Sequence, residues 1–152
     1  MKIINTFLTI TALIVGVTMG LYLLGGYEKK SNLKLASLFS EEVLFFKYKT
    51  YENEEAMKQD LQSMERYIYM EEEGKPTVYL AITGEKENSQ KIKEFFEKKG
   101  YSIKEEEMTM EQEDFLNILK QYDAVLKNTD DEAVIDAIIK QVIEKYQEVY
   151  EH

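Results

Sequence analysis

The sequence predicts an α+β protein: an N-terminal transmembrane helix, then a βαββαβ antiparallel sheet, then two extra C-terminal helices. Three observations carry this. An uncharged apolar run fills residues 3–26, the apolar pattern after it switches in order between period 2 and period 3.6, and that switching repeats after about 34 residues. The chain has 152 residues, 44% hydrophobic and 32% charged, which suits one packed core with an appendage. The implied division is a transmembrane anchor at 1–26, a juxtamembrane stalk at 27–41, a sheet domain at 42–108 and a C-terminal helical hairpin at 109–152.

The first element is "IINTFLTITALIVGVTMGLYLLGG", residues 3–26, which lacks any charged side chain. At 1.5 Å per residue such a helix crosses a hydrocarbon core of about 30 Å, so the lipid bilayer is its expected partner. The run is longer than a signal-peptide core and has no small-residue cleavage site, which favours an uncleaved anchor. Gly16 and Gly20 form a small-xxx-small pair of the kind that supports helix pairing. The flanking lysines, Lys2 before the run and Lys29, Lys30 and Lys34 after it, slightly favour an inward C-terminal half. An anchor at the extreme N-terminus is instead the usual layout of an exported domain. The expectation is a single-pass cell-membrane protein with its C-terminal domain extracytoplasmic.

The sheet domain opens with Val43 to Tyr51, where Leu44, Phe46 and Tyr48 alternate with Phe45, Lys47 and Lys49. Asn53 is placed to cap a helix whose apolar face is Ala56, Met57, Leu61 and Met64. Arg66 to Met70 reads as a second strand, followed by the turn "EEEGK". Pro76 opens a third strand, in which Val78, Leu80 and Ile82 alternate with Thr77, Tyr79 and Ala81. Asn88 or Ser89 caps a helix striped by Ile92, Phe95 and Phe96, and Gly100 stands where a left-handed terminator belongs. Tyr101 to Met108 is the fourth strand. Two interleaved βαβ halves with right-handed crossovers make a four-stranded antiparallel sheet with its helices on one face, the ferredoxin-like arrangement.

Two helices follow. Thr109 with Gln112, and Thr129 with Glu132, have capping-box spacing. Phe115, Leu116, Leu119, Tyr122 and Leu126 stripe the first helix. Ile135, Ile138, Ile139 and Val142 stripe the second, and such a stripe needs something to pack against.

The chemistry that the composition excludes is extensive. The net charge is −10, and after Gly26 the chain holds 18 of its 19 basic and all 29 acidic residues, so nucleic acid is not an expected partner. Without cysteine there is no disulfide, thiolate nucleophile or thiolate-bound metal. The single histidine, His152, ends the chain, so no Ser-His-Asp set can be assembled inside it. The acidic runs at 71–74 and 104–114 lack the alternating ligands and central glycine of a calcium loop, and "ITGEKEN" lacks the glycines and lysine of a phosphate loop. No catalytic residue, metal or cofactor is expected.

The stretches "LFFKYKTYENEEAMKQDL" and "TVYLAITGEKENSQKIKEFFEKKGYSI" resemble the SPOR domain, a peptidoglycan-binding module of bacterial cell-division and sporulation proteins. Tyr48, Asn53 and Ala56 match its first half, and Tyr79, Gly84, Asn88 and Gly100 its second, over about residues 42–108. The resemblance implies a membrane-anchored, non-catalytic cell-envelope protein that binds glycan strands. The implied contact surface is the sheet face with Phe45, Lys47, Tyr67, Tyr69 and Tyr79, whose rings suit sugar stacking and whose polar tips suit hydrogen bonding. A second reading stays open, in which the C-terminal helices cover that face or use Ile135, Ile138, Ile139 and Val142 to dock a partner protein or a second copy.

Overall fold

A computed structural model describes residues 40–150. The order is β1 (Glu41–Thr50), α1 (Glu54–Asp60), β2 (Ile68–Glu72), β3 (Lys75–Thr83), a 3-10 turn (Lys86–Asn88), α2 (Ser89–Lys98), β4 (Lys104–Met110), α3 (Glu113–Lys127) and α4 (Glu132–Tyr150). The four strands form one antiparallel sheet in the order β2-β3-β1-β4. The sheet and all four helices belong to one compact unit.

The fold-class expectation is corrected at its first element. It placed a transmembrane helix at 3–26 and, with it, a bilayer partner and a single-pass membrane location. No helix among the described residues is long and apolar enough to cross a membrane. The longest, α4, has 19 residues but carries Glu132, Asp136, Lys140, Glu144, Lys145 and Glu148 along its length. Segment 3–26 and the stalk up to residue 39 lie outside the described residues, as does His152. What is described is an α+β sheet with four helices.

Local sequence explains most boundaries. Asn53, extended at φ −160°, accepts the Ala56 N–H at 2.9 Å through its side chain and caps α1. Gly100, at φ 84°, lets its own N–H reach the Glu97 carbonyl and the Tyr101 N–H reach the Phe96 carbonyl, which ends α2 in a Schellman motif. Glu73 and Gly74 form the two-residue link from β2 to β3, with φ of 51° and 77°. Two successive positive φ values are what a type I′ hairpin turn demands.

Three caps differ from expectation. Thr109 lies inside β4, and α3 begins after Gln112 with no side-chain cap bond, so the first capping box does not form. Asp131 caps α4 by accepting the N–H groups of Ala133 and Val134, while Thr129 serves only the Asp131 N–H. Asn88 precedes α2 but makes no cap bond: its backbone is already helical at φ −79° and ψ −16°, and its side-chain N–H group donates to Asp123 of α3.

The core lies on both sides of β1. Phe45 and Phe46 are neighbours on a regularly paired stretch and so point opposite ways, yet they are 1% and 0% exposed. On the Phe46 side, Glu105 of β4 pairs with Lys93 of α2 at 2.9 Å. On the Phe45 side, the ring meets Tyr146 of α4 at 5.7 Å, and Tyr146 in turn meets Phe115 of α3 at 5.7 Å. The C-terminal helices are therefore part of the wall over the sheet. Their stripe of Ile135, Ile138, Ile139 and Val142 is buried within the chain and offers no apolar face to a partner.

Candidate functional site

Five side chains were expected on one sheet face, and the strand registers divide them. Ile68 pairs with Tyr79 and Tyr69 with Val78, so Tyr69 and Tyr79 point to opposite sides of the β2–β3 ladder. The cause of the wider mismatch lies in the β1–β3 pairing, which shifts between Phe45 and Lys47, where β3 carries the extra residue, and again between Lys47 and Lys49, where β1 does. Lys47 consequently pairs with Tyr79 and Lys49 with Val78. Simple alternation cannot see such irregularities.

Phe45, Lys47 and Tyr79 do come together. The Phe45 and Tyr79 rings meet edge-on at 5.6 Å, and both residues are almost wholly buried. A ring with no exposed face cannot stack on a sugar, so these two serve the core. The Tyr79 hydroxyl donates to Glu72 and, at 2.8 Å, to Glu106. Lys47 touches the same two carboxylates at 2.7 and 3.1 Å. One polar cluster thus links all four strands: Glu72 of β2, Tyr79 of β3, Lys47 of β1 and Glu106 of β4.

The electrostatics of this cluster argue against acid catalysis. Burial pushes the Glu72 carboxyl upward, but hydrogen bonds from Lys47 and Tyr79 outweigh it and hold the group below the ordinary range. Burial, together with the hydrogen bonds to Glu72 and Glu106, raises the Tyr79 phenol far above its usual value. The hydrogen bond to Glu72 leads the causes that raise Lys47. A general acid at neutral pH needs a raised carboxyl, and a nucleophilic lysine needs a lowered amine. Both shifts run the other way. Among the described residues, no group of acidic or histidine side chains is arranged to hold a metal ion.

Tyr67 and Tyr69 sit elsewhere. They line a cleft of about 410 Å³ beside β2, an edge strand, together with Glu54, Met57, Lys58, Glu65, Arg66 and Gln147. Tyr69 is 36% exposed, and Tyr67 is half-buried. Burial and the carboxylates of Glu54 and Glu71 raise the Tyr69 phenol, so it stays a hydrogen-bond donor across the neutral range. The wall also carries Glu54 and Lys58, paired with each other at 2.8 Å, with Glu65, paired with Lys140, and Arg66, 3.6 Å from Glu144. Ring faces beside mixed donors and acceptors can hold a flat polar molecule.

Sequence reasoning missed Glu72, Glu106 and Arg66. The two glutamates lie within the acidic runs at 71–74 and 104–114, and nothing in their spacing marks them as Lys47's partners. The sequence pattern puts Arg66 at the start of the second strand, whereas it belongs to the irregular segment that walls the cleft. No protein family, curated protein or solved structure matches the chain.

Proposed function

We propose that this chain is a non-catalytic binding module of the bacterial cell envelope that holds a peptidoglycan glycan strand during division or sporulation. The observation that supports it is the Tyr67–Tyr69 cleft: two tyrosines within reach of solvent at a sheet edge, beside charged side chains suited to sugar hydroxyls and amides. The likeness of the two βαβ stretches to SPOR domains supports the choice of ligand. In this reading Tyr69 stacks on a sugar ring, Tyr67 flanks it, and Lys58 and Arg66 donate to its oxygens. Phe45, Lys47 and Tyr79 lie outside the site and hold the four strands together.

Co-sedimentation of the full chain with amidase-treated sacculi tests this. The wild type should pellet with the sacculi, and Tyr69→Ala should bind about three- to tenfold more weakly, the loss expected for one aromatic stack. Equal pelleting of wild type and Tyr69→Ala, or none for either at low salt, rejects the proposal.

A further inference from the structure

β4 lies at the margin of the sheet, with β1 as its one partner strand among the described residues. Beyond that ladder, no hydrogen bond among them reaches the β4 backbone. In an antiparallel edge strand every second residue turns its N–H and C=O away from the sheet, so Lys104–Met110 presents a row of open donors and acceptors. The opposite edge, β2, has five residues against seven in β4 and borders the tyrosine cleft. An open edge of this length is a template for one more strand.

The side chains select which strand. Pairing with β1 is regular, so they alternate along β4: Glu105, Glu107 and Thr109 are exposed on the α2 side, while Glu106 and Met108 are half-buried on the Phe45 side. Tyr150 of α4 stands exposed near the end of that second row, where its phenol oxygen accepts the Gln112 N–H. Residues 104–114 hold six carboxylates against one lysine, −5 of the chain's net −10. Glu105, Glu106 and Glu107 are engaged by Lys93, Lys47 and Lys86 and select little. Glu111, Glu113 and Asp114 make no ion pair among the described residues, and they follow directly on the C-terminal end of the edge. The field there favours a cation. It opposes the β4 edge of a second copy, whose acids would meet these.

We propose that β4 takes up an extended segment of a partner protein that alternates apolar and basic side chains, adding a fifth strand to the sheet. The segment's N–H and C=O groups pair with the open β4 edge. Its apolar side chains lie along Met108 towards Tyr150, and its basic side chains run along the opposite face towards Glu111, Glu113 and Asp114. This surface is at the other end of the strand order from the tyrosine cleft, so the two are independent.

An amide-detected NMR titration of the full chain with a capped octapeptide of alternating valine and lysine tests the assignment. The peptide should bind saturably, with the amide shifts centred on Lys104–Met110. Its N-methylated analogue, which keeps the charge but loses the backbone donors, should not bind, and neither should the version with glutamate in place of lysine. The combined variant Glu111→Gln, Glu113→Gln and Asp114→Asn should bind the peptide about tenfold more weakly, as loss of three surface charge pairs does. Tyr69→Ala should leave peptide affinity unchanged, which separates this edge from the glycan reading. Absence of saturable binding, equal binding of the N-methylated or glutamate peptide, an unchanged affinity in the combined variant, or shifts centred on β2 overturns the proposal.

Discussion

Phe45 with Tyr79, and Tyr67 with Tyr69, are two aromatic pairs drawn from the sheet and the segment leading into β2, and they meet opposite fates. The first pair is sealed beneath Tyr146 and Phe115. The second is left at the margin of β2, where one ring is half-buried and the other exposed. Residue type does not separate them. What separates them is position relative to α3 and α4, which reach β1 and β3 at the centre of the sheet but leave the edge strand partly open. Aromatic content in a strand therefore marks either core or binding surface, and the covering elements decide which.

The largest expected effect comes from lifting that cover. Phe115 is 0% exposed, and Phe115→Ala should cost about 3–5 kcal/mol in urea unfolding, the range for emptying a buried aromatic site. A loss under about 1 kcal/mol would mean that the helices rest on the sheet without sealing it. A smaller effect is expected at the polar cluster beneath the cover. Tyr79→Phe removes the hydroxyl shared by Glu72 and Glu106 and should cost about 1–2 kcal/mol, since it leaves two partly buried acceptors short of a donor.

The same cluster predicts a pH signature. Glu72 is held below its ordinary 4.5, so its contribution is present above that value and is lost as pH falls through the lowered one. Lys47 is raised above 10.5, so its contribution is present below that value and is lost as pH rises through the raised one. Unfolding midpoints of Lys47→Met should show a flatter dependence at both ends than wild type; an identical profile would sink this account. The smallest effect sharpens the comparison without touching either pair. Glu73 adopts a positive φ that Asn tolerates better, so Glu73→Asn should stabilise the β2–β3 hairpin by about 0.5–1 kcal/mol, part of the left-handed penalty. Glycan binding through Tyr69 should not change.

Much of the secondary structure was legible because local chemistry set it. Asn53 announces α1, Gly100 ends α2, and the alternation in "TVYLAIT" marks β3. Strand edges moved by a few residues, as with β2, which starts at Ile68 and not Arg66. The site was less legible, for two physical reasons. Register shifts at Phe45, Lys47 and Lys49 reassign side chains to faces, and no hydrophobic pattern records a bulge that tertiary pairing imposes. The burial of Phe45 depends on Tyr146, about a hundred residues away in sequence. Asn88 makes no cap because the 3-10 turn before α2 already holds its backbone helical, while its side-chain N–H group serves Asp123 on a helix that follows much later.

Asp123 carries a practical corollary. This carboxylate is 2% exposed, receives the Thr83 hydroxyl at 2.5 Å, the Gly84 N–H at 2.7 Å and the Asn88 amide at 3.2 Å, and burial raises it above the usual carboxylate range. A fragment stopped near residue 108 would strip those donors of their acceptor and bare the Phe45 ring in the same cut. Anyone expressing the sheet alone should expect inclusion bodies. A piece that keeps the sheet covered must include both trailing helices, because the last third of the chain is as much the floor of the sheet as its neighbour.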